Sequence, residues 1–286
     1  MKIGYVSTNR SLCKADSTVR LDHLEKVREV SERNLSCLKR TLIWNMDHDI
    51  LFFRISSNTI PFASHPKMTL NWRDELGDQL RSVGDIIMGR IRISMHPGQY
   101  VVLNSNRREV VESSVAELKY HADLLDSMGV DGYIQIHVGS SQGGKKEGLR
   151  RFQENFYLLP ENVMKRLAIE NDDRVYTVSD CLNLWDVLGT PVVFDNLHHE
   201  LNNNGESLED ALRMVRNTWK GSRPMTDYSS QEVGEKSGVH ASTLSIPHFL
   251  DYVKRVDNVD VMLEIKDKEK SALRAVEILK EIGKLD

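Results

Sequence analysis

Apolar and polar residues alternate along short segments that recur through the whole chain, and longer segments of helical period separate them. In residues 133–138, for example, isoleucines and a valine fall on one face, and Tyr133, Gln135 and His137 fall on the other. The pattern predicts eight strands, which in chain order cover residues 2–7, 50–57, 90–96, 132–139, 166–171, 191–197, 225–230 and 259–266.

Apolar residues recur every three or four positions between these strands, which predicts amphipathic helices. The clearest helical segments are residues 24–46, 74–88, 108–128, 208–219 and 268–282. Eight strand–helix units without a linker predict one α/β domain over residues 1–286, a single-domain (β/α)8 TIM barrel. An open doubly wound sheet is the alternative, but no Gly-x-Gly-x-x-Gly or Walker sequence supports a nucleotide-binding fold or a nucleotide cofactor.

The same alternation predicts what fills the barrel. Arg92, Ser94 and His96 share one face of the third strand, and Gln135 and His137 share one face of the fourth. If the apolar faces pack against the helices, these polar residues point inward. The interior is then a polar well, whereas most barrels are filled by branched apolar residues.

Composition excludes several classes of protein. The chain has 38 Lys and Arg residues and 42 Asp and Glu residues. The resulting net charge of −4 indicates neither a basic nucleic-acid coat nor an acidic disordered tail. No apolar run approaches the roughly 20 residues of a membrane-spanning helix, and we expect a cytoplasmic protein with no membrane contact. The three cysteines include no Cys-x-x-Cys pair, and we expect free thiols in a reducing compartment.

Residues of metal-ligating type are placed at or just beyond the carboxyl ends of the predicted strands, where barrels build active sites. They are His96, His137, Glu170, Asp195, His198, Asp227, His240 and Glu264. Any one of them alone has an ordinary structural explanation. Together, buried carboxylates would repel one another unless cations neutralised them, and histidines with carboxylates but no thiolates suit Zn, Mn or Fe. The sequence therefore predicts a cluster of divalent ions.

Two loops on the same face carry further candidates. Gln99 and Tyr100 lie at the tip of a Pro-Gly turn after the third strand, where they could stack on a base or begin the next helix. His65 follows the second strand and is either a phosphate contact or a plain loop residue. The basic pairs at residues 107–108, 145–146 and 150–151 either hold a phosphate backbone or form a solvated surface.

Several segments, taken in order, resemble the UV damage endonucleases, metal-dependent DNA repair enzymes related in fold to endonuclease IV. The matching segments are residues 54–58 (RISSN), 61–66 (PFASHP), 95–100 (MHPGQY), 167–172 (LAIEND), 194–199 (FDNLHH) and 262–269 (MLEIKDKE). The resemblance implies a TIM barrel that holds up to three divalent ions, usually manganese, with zinc or magnesium as alternatives.

By matching positions, the resemblance assigns roles to single residues. His96, His137 and Glu170 would form one ion site; Glu170 would bridge to a second with Asp195 and Glu264; and His198 and His240 would hold the third. Tyr5 and Asn9 would lie near the damaged nucleotides, Gln99 and Tyr100 would probe the duplex opposite the lesion, and His65 would lie close to the scissile phosphate. Glu170 and His65 are the candidate catalytic residues.

The seventh strand departs from the family pattern. The family commonly shows Pro-Lys-x-His-Tyr-Ser, with the lysine carboxylated, whereas residues 224–229 read PMTDYS. Met225 cannot bind a hard cation strongly, but Asp227 can replace a histidine ligand with an oxygen donor. We therefore expect the metal site to survive with altered selectivity.

The expected function is a nick in UV-damaged double-stranded DNA, immediately 5′ to a cyclobutane dimer or 6-4 photoproduct. The nick would leave a 3′-hydroxyl and a 5′-phosphate, and the expected enzyme is a monomer. One alternative is an abasic-site endonuclease. Others are a metal-dependent sugar isomerase or epimerase, and a lesion-binding module whose metal cluster is only structural.

Overall fold

The structure is a computed structural model that describes residues 1–286. Eight parallel strands form a closed barrel in chain order, and β1 closes it by pairing with β8, with Ile3 opposite Val261. The strands are β1 Ile3–Val6, β2 Phe52–Ile55, β3 Arg92–Met95, β4 Gly132–His137, β5 Leu167–Glu170, β6 Val192–Asp195, β7 Met225–Tyr228 and β8 Asp260–Leu263. The TIM-barrel prediction is confirmed, and every observed strand lies inside its predicted segment.

Helices surround the barrel, and each of the five predicted helical segments overlaps one of them. The α-helices are α1 Val27–Asp47, α2 Trp72–Glu75, α3 Gly77–Ile87, α4 Arg108–Met128, α5 Lys145–Phe156, α6 Glu161–Met164, α7 Val178–Leu188, α8 Asn196–Leu201, α9 Leu208–Asn217, α10 Ile246–Arg255 and α11 Glu269–Glu281. Two short 3-10 helices cover Leu21–Lys26 and Ser57–Thr59. No helix is long and apolar enough to cross a membrane.

Alternating side chains give most strands an apolar outer face, and they give several strands, β3 and β4 above all, a polar inner face. Tyr228 on β7 packs its ring against Phe249 on α10, with 5.1 Å between ring centroids. Inside the barrel, Arg92 on β3 pairs with Asp260 on β8 at 2.7 Å, and its guanidinium lies over the Trp219 ring at 5.3 Å. The predicted polar interior is therefore present at the amino ends of the strands as well as at the opposite, carboxyl face.

The cysteine prediction is wrong for two of the three residues. Cys13, in the loop after β1, and Cys37, on α1, form a disulfide with 5.9 Å between their Cα atoms. The two lie 24 residues apart and meet only because α1 packs back on that loop, so no local motif signals the pair. Cys181 remains a free, buried thiol.

Helices α3 and α4 approach closely where α3 carries Gly84. A Cβ atom at this position would lie 1.8 Å from the carbonyl oxygen of Met128, at the end of α4. The chain continues from Met128 through Gly129, whose φ of 65° turns it away from the helix and into β4. A residue without a side chain is thus required for α4 to end against α3.

We predict that Gly84→Ala lowers the free energy of unfolding by about 1–3 kcal/mol, because the overpacking cost exceeds the roughly 1 kcal/mol that alanine adds in a helix. Gly77→Ala on the same helix is the matched control, since its Cβ would meet only the mobile Arg81 guanidinium at 3.2 Å. Chemical denaturation measures both variants. Equal stability of Gly84→Ala and Gly77→Ala would contradict the close approach.

Candidate active site at the carboxyl face

Histidine and carboxylate side chains meet at the carboxyl ends of the strands. Three groups each place their ligand atoms within 4.8 Å of one another: His96, His137 and Glu170; Glu170, Asp195 and His198; and Asp195, Asp227 and Glu264. Seven of the eight predicted ligand residues are therefore brought together, and each strand from β3 to β8 supplies or ends beside one of them.

Glu170, at the end of β5, lies at the centre of the histidines. Its Oε2 is 3.2 Å from His96 Nε2 and 3.6 Å from His137 Nε2, and its Oε1 is 3.1 Å from His198 Nδ1. The carboxylate is 1 % exposed. Burial alone would raise its pKa, but His137 and the other two histidines hold the pKa of Glu170 well below its usual range.

Asp195 joins the second and third groups. Its Oδ1 accepts the backbone N–H of His198 at 2.7 Å and so caps α8, while its Oδ2 is buried without a hydrogen-bond partner. Burial, with Glu170 and Glu264 nearby, raises the pKa of Asp195 to about 8. Burial also raises the pKa of Asp227 to about 8. The carboxyl groups outnumber the positive charges available to them.

Two further residues complete the centre: Gln135, which the sequence placed on the inner face of the fourth strand, and Arg54, which sequence reasoning did not single out. Arg54 on β2 donates from Nη2 to both oxygens of Asp227, at 2.7 and 2.9 Å, and from Nη1 to Glu264. Gln135 on β4 accepts from Arg54 at 2.9 Å and donates to Glu170 at 2.6 Å. The available signal was a charged residue within the apolar strand around Phe52–Ile55.

The grouping of ligands differs from the expected one. His240 lies beside the centre but in none of the three groups: its Nδ1 is 2.9 Å from the backbone oxygen of Glu264, and its ring centroid is 6.1 Å from that of His198. His198 instead approaches Glu170 and Asp195. Glu264 shares a group with Asp227 and Asp195, and not with Glu170.

Tyr5 does not face the barrel mouth. It is fully buried, and its hydroxyl donates to Asn45 on α1 at 2.7 Å, because alternation puts Tyr5 on the helix-facing side of β1. In this conformation it packs the core, which is at odds with the expected contact to damaged nucleotides. Asn9, in the loop after β1, is also buried, and its amide nitrogen has no partner.

The loop candidates lie on the same face. Gln99 and Tyr100 are exposed, and the Tyr100 hydroxyl donates to Glu117 on α4 at 3.1 Å. Tyr100 and His65 both line a cavity of about 610 Å³. His65 Nδ1 accepts the backbone N–H of Lys67 at 3.1 Å, and His65 belongs to none of the three ligand groups.

The basic side chains next to the histidine–carboxylate centre come from residues 266–268, and not from the basic pairs that the sequence suggested. Lys266 and Lys268 line a cavity of about 320 Å³ together with His96 and Glu264, although Lys266 Nζ also lies 3.9 Å from Glu232 Oε2. The basic pairs considered from sequence are largely engaged elsewhere. Carboxylates lie within ion-pair distance of Arg107, Arg108, Lys145, Arg150 and Arg151.

The donor set at this face fits a divalent cation. His137 Nδ1 and Asp195 Oδ2 are buried with no hydrogen-bond partner, although buried polar atoms are nearly always paired. Burial also lowers the pKa of His137, which favours the neutral imidazole that binds metals. Histidine nitrogens with carboxylate oxygens and no thiolate are the ligands of Mn or Zn rather than of a structural cysteine site.

The fold and the site together define a (β/α)8 barrel enzyme with a histidine–carboxylate centre at its carboxyl face. The model of the UV-endonuclease UvdE family matches residues 1–286, and the chain belongs to that family. Membership makes it a DNA endonuclease of UV-damage repair.

Known proteins agree with this placement. The chain is 36 % identical to the UV DNA damage endonuclease of Clostridium perfringens, over 99 % of this chain and 72 % of that one. It is 30 % identical to the enzyme of the same name from Bacillus thuringiensis, over 99 % and 95 % of the two chains. The sequence of the protein in the crystal structure of SacUVDE is 63 % identical to this chain over the full length of both, and the two structures superpose with a TM-score of 0.98.

Sugar epimerases share the fold alone. The 3-keto-D-glucoside 4-epimerase of E. coli is 13 % identical over 98 % of this chain and 99 % of that one, with a TM-score of 0.60. A shared barrel carries no information about substrate. Family membership therefore decides against the sugar isomerase or epimerase alternative.

Proposed function

We propose that this protein hydrolyses one phosphodiester bond in duplex DNA, immediately 5′ to a cyclobutane dimer or 6-4 photoproduct, with divalent ions bound at the carboxyl-face centre. Water oxygen bonds to phosphorus and the bond to the 3′-oxygen breaks, which leaves a 3′-hydroxyl and a 5′-phosphate. The observation that carries the proposal is the convergence of seven histidine and carboxylate ligands at that face in a member of the UvdE family.

Mn²⁺ is the proposed ion, with Zn²⁺ or Mg²⁺ as alternatives, and the residues that would hold it belong to the three ligand groups, with His240 beside them. Bound there, divalent ions would supply positive charge to the phosphate and lower the pKa of water. Glu170 acts by holding the three histidines in position through its two oxygens, which lie 3.1–3.6 Å from their nitrogens.

The chain's own charges favour a phosphate at this face. Lys266 and Lys268 line the cavity that also contains His96 and Glu264, so the DNA backbone would meet positive charge at the centre itself. Net charge is slightly negative, and attraction to DNA must therefore come from such local placement. His65 is proposed to lie near the scissile phosphate from the neighbouring loop.

Damage would be recognised through the deformability of DNA. A dimerised pyrimidine pair stacks and pairs poorly, which lowers the cost of bending the duplex and displacing bases. Gln99 and Tyr100 stand exposed on a short turn beside the centre and are proposed to fill the vacated space opposite the lesion. Asn9 is proposed to contact the damaged strand. Tyr100 is 63 % exposed, so much of its ring surface can meet a base.

We predict that Tyr100→Ala weakens binding to a duplex with one thymine dimer by about five-fold to 100-fold, because stacking of a base on an aromatic ring contributes roughly 1–3 kcal/mol. Tyr100→Phe, which keeps the ring and loses only the bond to Glu117, should bind within about three-fold of the parent. Fluorescence anisotropy at one salt concentration measures both. Tyr100 is proposed to contact DNA and not to hold the metal. A loss of bound manganese in Tyr100→Ala as large as its loss of DNA binding would refute this.

The decisive assay uses metal-free protein and an end-labelled duplex that carries one defined thymine dimer. We expect a Mn²⁺-dependent cut at the 5′ side of the dimer and none in the undamaged duplex. Glu170→Gln should lower the rate by about 10-fold to 100-fold while damaged duplex still binds, since the histidines lose their common anchor. Glu161→Gln, an exposed glutamate paired with Lys165, is the matched control.

Several outcomes would overturn the proposal. Normal nicking by Glu170→Gln would remove Glu170 from the centre, and binding without any cut by the parent protein would favour a lesion-binding module. A duplex with a single abasic site, assayed in parallel, tests the remaining alternative. Faster cutting there than at the dimer would make abasic sites the main substrate.

A further inference from the structure

A guanidinium lies inside the third ligand group. Arg54 extends from the inner face of β2, and its side chain is 5 % exposed. Nη2 lies 2.7 and 2.9 Å from the two oxygens of Asp227, and Nη1 donates to Glu264. Two of the three carboxylates that could hold an ion at Asp195, Asp227 and Glu264 therefore already contact a fixed positive charge.

Asp227 has little bonding capacity left. Its Oδ2 accepts hydrogen bonds from both Arg54 and Gln135, and its Oδ1 accepts a second bond from Arg54. A carboxylate oxygen offers about two lone-pair sites, so Oδ2 is fully used. Free donor atoms remain outside Asp227: His137 Nδ1, and Asp195 Oδ2, which the second and third groups share, are buried and have no partner.

The net charge at the centre also favours ions at the two histidine groups and none beside Asp227. One guanidinium, that of Arg54, lies among four carboxylates. These are Glu170, Asp195, Asp227 and Glu264. Bound cations favour the ionised form of all four carboxyl groups, which with Arg54 carry three net negative charges. Two divalent ions would turn these into a single positive charge, which suits one phosphodiester anion. A third divalent ion beside Asp227 would have to lie against the guanidinium and would be repelled by it.

We propose that Arg54 is a built-in cation at the Asp195–Asp227–Glu264 group, so that the centre binds two divalent ions, one at each histidine-containing group, and Asp227 is the counter-ion of Arg54. This inference rests on the divalent-ion centre of the proposed function and deepens it. Arg54 is a positioning residue, since it acts by holding Asp227 and Glu264.

The test counts ions. Protein stripped of metal with a chelator is equilibrated with Mn²⁺ alone, freed of unbound ion, and measured by elemental analysis and native mass spectrometry. The parent should hold two Mn per chain. Arg54→Gln exposes the third group and should hold three, whereas Arg92→Gln, which removes the other inward arginine at the opposite end of the barrel, should keep two.

Asp227→Asn gives an independent result should Arg54→Gln fail to fold. As the counter-ion of Arg54, Asp227 can lose its charge without loss of an ion, and this variant should keep two Mn. Loss of one Mn in Asp227→Asn would make Asp227 a ligand and overturn the inference. Three Mn in the parent, or two in folded Arg54→Gln, would do the same.

The same measurements distinguish failure of the proposed function from failure of the inference about Arg54. A parent that binds no Mn and still nicks would remove the divalent centre altogether. A parent that binds three Mn and nicks would leave the centre in place and reject only the role of Arg54.

Discussion

Three buried carboxyl groups and a half-buried fourth, side by side at the mouth of one barrel, are the constraint to which the rest of this centre responds. Carboxylates that leave water lose hydration, and at these distances they repel one another. The chain offsets this in three ways: histidines surround Glu170, the N-terminus of α8 binds Asp195, and Arg54 spans Asp227 and Glu264. The donor atoms still left without partners suit added cations.

The barrel makes this crowding possible because it sets the spacing of the strand ends. His137 and Glu170 are register partners on β4 and β5, and Asp195 and Asp227 are register partners on β6 and β7. Neighbouring strands lie about 4.8 Å apart, which is the distance across which two side chains can share an ion. Hydrogen bonds of the sheet hold each pair in place, so ligand geometry follows from the fold.

Much of the fold and the centre could be predicted from the sequence, because alternation is a local property. The strand segments and the inward direction of His96, His137 and Glu170 all follow from it. Partners that meet only in three dimensions could not be predicted in this way. Cys13 and Cys37 meet through the packing of α1, and Arg54 meets carboxylates that lie on β7 and just after β8.

At Tyr5, the family resemblance and the structure lead to different expectations. Family similarity places it near DNA, while strand alternation turns it toward α1 and Asn45. Asp227 is a second case: the family pattern suggests a replaced ligand, yet both of its oxygens bind Arg54. At such positions, the contacts within the folded chain differ from those that the matching position leads one to expect.

Anomalous diffraction from crystals grown with Mn²⁺, recorded at the manganese edge, is the most direct measurement of the centre. We predict two peaks, one within bonding distance of His96, His137 and Glu170, and one within bonding distance of Glu170, Asp195 and His198. A peak bonded to Asp227, or the absence of a peak at either histidine group, would contradict a two-ion centre completed by Arg54.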